Sequence, residues 1–550
     1  MVNVTGTLFP RDPGALVVAD LFCGAGGLSQ GFRDAGFHIG YALDKNLDSV
    51  KTYAQNHPDT HVDHASITDV DAAHLARAAG GQVDIVVGGP SCQGFSTASR
   101  RSDGWFRKDD ERNLLWSHMH ALVEGLQPKA FLMENVPGLT YWKDNTQGRR
   151  ILEGFQDIGY NVSWQILLAA DYGIPQLRRR VFLVGMLGDK PFRFPEPTHL
   201  GGWRRDTQDQ WEARRKEQGL LRHVSSWEAL ADLPLKAGSA STWSGRPRSE
   251  FARLMRAGAT ELTDHDVSPL SAEHQELLAH VPRGGTWRDI PGHLLPDRFR
   301  SMRRTDSTGL LGRLDPARPG YTITTQYNNP TTGTFVHPYA DRVLTVREGA
   351  RLQSFPDSYT FTGRLSSRYR QVGNAVPPLL ATVIADRLRE QLTGQVADRA
   401  VVRPATRRPP APIGASQVLR SAPGIAGASG HAAAVRRALH ARGLRFRLNA
   451  ADLPPAPRKP DVVFGARRTA VYVDGCFLHG CPVHARQNKS STFWWAEKIA
   501  AQQHTDAVTR QTLEAAGWTV VQVWEHEDPT TAAERIATAL TAAAPLPIAG

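Results

Sequence analysis

Cysteine is scarce in this chain of 550 residues, which holds only Cys23, Cys92, Cys476 and Cys481. Four thiols so unevenly spaced cannot frame a chain of this length with disulfides, so each is expected to serve chemistry or metal binding. Long apolar runs are also missing. No uninterrupted stretch reaches the ~18 residues that cross a bilayer, and MVNVTGTLFPRDPG at the start lacks the basic-then-apolar order of a secretory signal. A cytoplasmic location with no membrane partner is expected, and nothing implies an obligate protein partner. Acidic residues are outnumbered, with 54 Asp and Glu against 65 Lys and Arg, so the formal net charge is +11. That balance suits a polyanionic partner, although it also serves solubility. With 41% hydrophobic residues, the length allows two to four domains with cores of their own.

The chain is organised around Gly88 to Ser96, GGPSCQGFS, which follows the strand-like run Val83 to Val87. A cysteine between a strand end and a glycine-containing turn sits where open α/β sheets bind their ligands, so Cys92 reads as a nucleophile. A buried core cysteine is the plain alternative. Upstream, VVADLF (Val17 to Phe22) meets CGAGGLSQGF, where Gly24, Gly26 and Gly27 predict a tight turn into a helix. Asp44, ending the strand-like HIGYALD, is placed to accept hydrogen bonds from ribose hydroxyls. This layout serves dinucleotide oxidoreductases, S-adenosylmethionine enzymes and folds that bind nothing. Further on, the run Ala130 to Met133 ends in Glu134, a carboxylate at the same sheet edge as Cys92 and a candidate acid. In YGIPQLRRRVFLVG, alternation sends Arg178 and Arg180 to one face and Arg179 to the other.

The C-terminal part has its own signals. From Gly394 to about Gly430 the chain is rich in Pro, Ala and Arg without apolar periodicity, as a linker is. After it come a helix-like AAAVRRALHARG and strand runs at Asp461 to Phe464, Thr469 to Asp474 and Trp518 to Trp524. DGCFLHGCPVH places Cys476, Cys481 and His484 at metal-ligand density, and His526 can close a tetrahedral structural zinc site.

DLFCGAGG, GGPSCQGFS, DERNLL, ENVPG, QLRRR, REGARLQSFPD and YRQVGNAVPPLLA occur in this order over roughly residues 16 to 392. In these motifs the chain resembles the DNA (cytosine-5)-methyltransferases. The resemblance implies an α/β, Rossmann-like S-adenosylmethionine-dependent domain over 1–190 and 313–393, acting on double-stranded DNA near the nucleoid, in the setting of a restriction-modification system. Residues 191–312, where tryptophan and arginine accumulate and no family motif recurs, would be an inserted target-recognition lobe. Arg288, Arg298, Arg300, Arg303 and Arg304 would meet phosphates there. The resemblance further implies that Cys92 attacks carbon 6 of a flipped cytosine, Glu134 relieves the charge at ring nitrogen 3, Arg180 contacts the ring carbonyl and Arg178 supports the site. Phe22, Leu28, Asp44 and Asn374, beside Gly24, Gly26 and Gly27, would hold S-adenosylmethionine. Ser91 and Ser66 depart from the family's usual proline and aspartate.

Pro460-Asp461, VDGCFLHGCP and AAGWTVVQVWEHED, within residues 431 to 545, resemble the very-short-patch mismatch endonucleases. This implies a small α/β restriction-endonuclease-like domain with its zinc site, in which Asp461 binds catalytic magnesium, Asp474 assists and His479 activates water. Ala432 to Ala434 stand where the family has a first-helix glutamate, and Leu478 replaces a wedge tryptophan. A zinc-stabilised but inactive DNA-binding domain is therefore one rival reading, and methylation of tRNA is another. A dinucleotide oxidoreductase would leave Cys92, Glu134 and Arg180 together unexplained.

Overall fold

The computed structural model describes residues 14–90, 115–140, 146–201, 208–238, 242–302, 309–406, 409, 430–448, 453–454, 456–474 and 492–542. The chain divides into two compact units, Met1–Ser421 and Ala422–Gly550.

Short, almost wholly apolar runs become buried strands because both of their faces are covered. Such runs give β1 (Val17–Leu21), β4 (Ile85–Gly88) and most of β5 (Ala130–Asn135); the other strands of the first unit are β2 (His38–Asp44), β3 (His61–His64), β6 (Tyr160–Leu168), β7 (Gln176–Leu177) and β8 (Arg179–Leu187). All but β7 form a seven-stranded sheet in the order β3-β2-β1-β4-β5-β8-β6. Only β8 runs against its neighbours. Five helices accompany the strands: α1 (Gly27–Asp34), α2 (Leu47–Asn56), α3 (Ala72–Ala78), α4 (Leu115–Leu126) and α5 (Thr146–Asp157). Val18, Ile85, Val87 and Leu132 pack with Leu28 and Phe32 of α1 on one face. Val17, Ala19, Val86 and Phe131 pack with Met119 and Val123 of α4 and Phe155 of α5 on the other. The strand ends that follow β1 and β4 lie side by side, since Leu21 pairs with Gly88.

Beyond β8, short elements alternate with irregular chain. They are β9 (His199–Leu200), α6 (Gln208–Glu217), β10 (Leu221–Arg222), α7 (Ser226–Leu230), α8 (Glu250–Arg256), α9 (Ala272–Ala279) and α10 (Asp297–Arg300). Then come β11 (Gly312–Arg313), β12 (Gly320–Tyr321), β13 (Thr334–Val336), α11 (Val346–Leu352), α12 (Leu365–Asn374) and α13 (Pro378–Thr393). Leu380, Ile384 and Leu388 of α13 return to the sheet beside α1. Val224, Trp227, Leu230, Phe251 and Leu262 share a core with Leu314, Tyr339, Leu352, Phe355 and Tyr369. Trp227 belongs to this core, Trp287 packs in a second one with Leu277, Leu278 and Phe299, and Trp211 is buried as well. Trp243 donates to Asp357 at 2.9 Å beneath the Arg256 guanidinium. Large aromatic surfaces contribute heavily to cores of this kind. Trp203, Arg303 and Arg304 lie outside the described residues.

The same core contains charge. Arg351 spans Asp232 (2.9 Å) and Asp357 (2.6 Å), while Arg342 makes two 2.7 Å bonds to Glu348. Buried ions persist only when paired in this way, and the pairs hold α11 to the segment before α8 and to the chain after α11. Within the stretch 394–430, Arg399 bonds Asp386, Val402 accepts from His199, and the Ala405 amide donates to Glu228, so residues 399–405 are fastened to the first unit.

In the second unit β14 (Val462–Phe464) pairs antiparallel with β15 (Thr469–Asp474), which pairs parallel with β16 (Thr519–Trp524). α14 (Gly430–Ala441) and α16 (Pro529–Ala542) cover one face through Val435, Leu439, Ile536 and Leu540. α15 (Thr492–Ala515) covers the other through Leu513.

Candidate active site

The ends of β1, β2, β4 and β5 and the start of β8 build the site. After β1, Phe22 adopts φ +62°, a left-handed conformation that costs a non-glycine residue energy and marks functional turns. Gly24 follows at φ +55°, with nothing within 4 Å of where a Cβ would stand. Its amide donates to Asp44 at 2.9 Å, and the Asn46 amide donates to the other carboxylate oxygen at 2.8 Å. Burial raises the Asp44 carboxyl above its ordinary value against these hydrogen bonds. Gly26 and Gly27 are closed from behind, where a Cβ would press on Tyr359 and on the Val376 carbonyl. An open glycine backed by packed ones, with a fixed carboxylate and a half-buried Phe22 beside it, fits a nucleoside-bearing cofactor such as S-adenosylmethionine. Leu28 points into the apolar core, and Asn374 is exposed at the end of α12.

Beneath this turn Asp20 is wholly buried, bonded to Ser29 at 2.6 Å, and its carboxyl is pushed up to about 7 by desolvation. Cys23 departs from the expectation that every cysteine serves chemistry. It packs among Ala42, Val50, Tyr53 and Val62, and burial, with the charges of Asp44 and Asp20, drives its thiol well above the usual range. A thiol that cannot ionise is a small apolar side chain.

After β4 the described chain reaches Pro90, two residues short of Cys92, which lies outside the described residues. The Asn135 side chain donates to the Pro90 carbonyl at 3.2 Å. A Cβ at Gly89 would stand 3.2 Å from Oε2 of Glu134, so glycine there lets the loop pass close to the carboxylate. Glu134 Oε1 pairs with Arg180 Nε at 2.8 Å, both side chains being mostly buried. Burial lowers the Arg180 pKa, while the charge of Glu134 opposes that shift. The expected alternation is present: Arg179 is exposed, Arg180 faces Glu134 and Arg178 is buried. Arg178, however, donates to the carbonyls of Ile323 (2.9 Å) and Gly373 (3.2 Å) and joins backbone segments. Asn135 and Gly89 gave no separate signal in the sequence, although both sit in quoted motifs.

The model of the C-5 cytosine-specific DNA methylases matches residues 16–390. The chain belongs to that family. Type II methyltransferase M.AgeI of Thalassovita gelatinovora is 33% identical over 429 residues, covering 67% of this chain and 98% of that protein. Type II methyltransferase M.DdeI of Desulfomicrobium norvegicum is 32% identical, covering 68% and 88%. A solved E. coli prophage protein described as a DNA modification methyltransferase superposes with a TM-score of 0.52 at 25% identity, over 69% of this chain and 99% of its own. A second model, DNA mismatch endonuclease Vsr, matches residues 428–484, so a Vsr domain follows the methylase.

In the Vsr domain, Asp461 accepts from the Val473 amide at 2.8 Å. Burial raises its carboxyl above the ordinary value. Asp474 is buried and held by Arg458 (2.6 Å) and Gln522 (2.7 Å), and Arg458 also bonds Asp506 at 2.6 Å. An arginine that already neutralises Asp474 leaves that carboxylate a poor ligand for a cation. Among the described residues no group of three His, Cys, Asp or Glu side chains is arranged to hold a metal. Cys476, His479, Cys481 and His484 lie outside the described residues, and His526 is exposed after β16. No described helix is long and apolar enough to cross a membrane.

Proposed function

We propose that the methylase transfers a methyl group to carbon 5 of cytosine in duplex DNA, with Cys92, Glu134 and Arg180 performing the chemistry. The observation that carries this reading is the bond from Asn135 to Pro90 together with the close approach of Gly89 to Glu134, a carboxylate already oriented by Arg180, on the chain that leads to Cys92. Carbon 5 is a weak nucleophile until a thiolate adds to carbon 6. Cys92 forms that bond, and the displaced electron pair moves towards ring nitrogen 3, where Glu134 in its protonated form donates a hydrogen. Arg180 binds the ring carbonyl from its place beside Glu134. Bound S-adenosylmethionine supplies the methyl group. Loss of the carbon 5 proton to a base then expels the Cys92 thiolate and restores the ring. None of these atoms is reachable in a stacked duplex, so the base is flipped. Phe22, Gly24, Gly26, Gly27, Asp44 and Asn374 form the cofactor side, with Leu28 packed in the core behind them, and residues 191–312, with Arg288, Arg298 and Arg300, meet the DNA. With radiolabelled S-adenosylmethionine, label is expected in unmethylated duplex DNA and not in tRNA; label in tRNA alone would overturn the assignment.

For the Vsr domain we propose nicking of duplexes that carry T opposite G. Deamination of 5-methylcytosine yields that mismatch, so the methylase creates the sites at which the second domain works. Tethering through residues 394–430 raises its local concentration there. Asp461 and His479 are assigned to the cleavage, and Cys476, Cys481, His484 and His526 to structural zinc. The full chain is expected to contain zinc by metal analysis. In magnesium buffer it is expected to nick a T:G duplex faster than the matched C:G duplex. Retained DNA binding without nicking in magnesium or manganese would reduce the domain to a DNA-binding module.

A further inference from the structure

α12 ends at Asn374, and the last carbonyls of a helix have no partner within it. Side chains from two distant parts of the methylase supply those partners. Gln353 Nε2 donates to the carbonyls of Val372 (2.7 Å) and Ala375 (3.2 Å), and Arg178 Nη2 donates to that of Gly373 (3.2 Å). Gln353 Oε1 in turn accepts from Gln176 Nε2 at 2.8 Å, and Gln176 Oε1 accepts from the Ile323 amide at 2.8 Å. The Ile323 carbonyl accepts from Arg178 Nη1 at 2.9 Å. Gln176, Arg178 and Gln353 are all buried, so none of these bonds exchanges freely with water. Gly27 also lies against this segment, so close that a Cβ there would overlap the Val376 carbonyl. Residues 372–376 are thus held by Gln353 and by Arg178, two residues before Arg180, and also contact the glycine turn at Gly27.

We propose that Gln353 and Arg178 are positioning residues that couple the cytosine side of the site to the cofactor side, because they hold residues 372–376 as a wall shared by both. The inference rests on the reading that Arg180 meets cytosine while Asn374 and the Gly24 to Gly27 turn meet the cofactor. Neither Gln353 nor Arg178 touches a reacting atom in this account. Their effect passes through the backbone on either side of Asn374. Coupling of this kind is reciprocal: if DNA tightens the cofactor product, the product tightens DNA by the same factor.

The test measures S-adenosylhomocysteine binding to the full chain by titration calorimetry, with and without unmethylated bacteriophage lambda DNA. In the native protein DNA is expected to tighten S-adenosylhomocysteine. Gln353→Met and Arg178→Lys are each expected to weaken it by about three- to thirtyfold without DNA and to abolish most of the tightening. The stoichiometry should match that of the native protein. A role confined to stability would instead lower the binding-competent fraction and the melting temperature while leaving the dissociation constant unchanged, and that result overturns the proposal. So does a native protein in which DNA leaves S-adenosylhomocysteine affinity unaltered. If Gln353→Met does not fold, Gln176→Met, which removes only the far end of the amide ladder, is measured beside Arg178→Lys. Phe22→Ala and Asp44→Asn separate the two levels of the argument. Unchanged affinity in both would remove the cofactor assignment itself, whereas weakening in these two with none in Arg178→Lys would remove the coupling alone.

Discussion

Cys92→Ala is expected to lose methyl transfer by at least about 10⁴-fold, the scale on which loss of a covalent nucleophile acts in other enzymes. The methyl-accepting carbon becomes reactive only after sulfur adds to the neighbouring carbon, and no other described thiol can replace Cys92, since Cys23 is buried in the core. DNA binding should survive, because the proposed DNA contacts at Arg288, Arg298 and Arg300 lie far along the chain from residue 92. DNA carrying 5-fluorocytosine separates the covalent step from the rest. Fluorine at carbon 5 cannot leave as a proton does, so the native protein should accumulate a stable protein-DNA adduct that resists denaturant. The alanine variant should form none, and an adduct at the native rate would mean that another residue is the nucleophile.

What could be read beforehand was whatever local pattern decides. β2 occupies His38–Asp44, the whole of the strand-like run HIGYALD, whose inner five residues are buried between the two faces. The separate fates of Arg179 and Arg180 followed from the period of a strand. The glycine turn was legible as well, since the positive φ at Gly24 and the close packing at Gly27 both favour glycine. Pairings that depend on tertiary closure were not legible. Gln176 meets Gln353 across 177 positions of sequence, and each residue alone is an unremarkable polar side chain. Arg351 belongs to a quoted motif, yet its buried bridge to Asp232 could not be inferred, because arginine in isolation predicts exposure.

The same contrast explains the Vsr domain. Spacing identifies ligand-rich segments such as DGCFLHGCPVH, but whether an aspartate is available to a cation depends on what else reaches it. Arg458, only three residues before Asp461, turns back onto Asp474 and Asp506 and stacks 5.0 Å from the Tyr472 ring. Asp474 therefore has a partner before any metal arrives, and the weight of the proposed cleavage falls on Asp461 and His479.

Glu134→Gln is expected to slow methyl transfer by ~10² to 10⁴ while changing DNA affinity little, the usual range for loss of general acid catalysis. The substitution is nearly isosteric, and a glutamine oxygen can still accept from Arg180 Nε, which now stands 2.8 Å from Oε1. Side-chain orientation should therefore persist. What disappears is the transferable proton: an amide can donate a hydrogen bond to ring nitrogen 3 but cannot release a proton to it as charge accumulates. The 5-fluorocytosine adduct should consequently still form, only more slowly, since Cys92 is intact and the defect lies in relieving the charge that its attack creates. Single-turnover transfer on unmethylated DNA, measured beside the adduct rate, tests this directly. Parallel slowing of both places Glu134 at the addition step, whereas a transfer rate within about tenfold of native would show that Glu134 only orients Arg180.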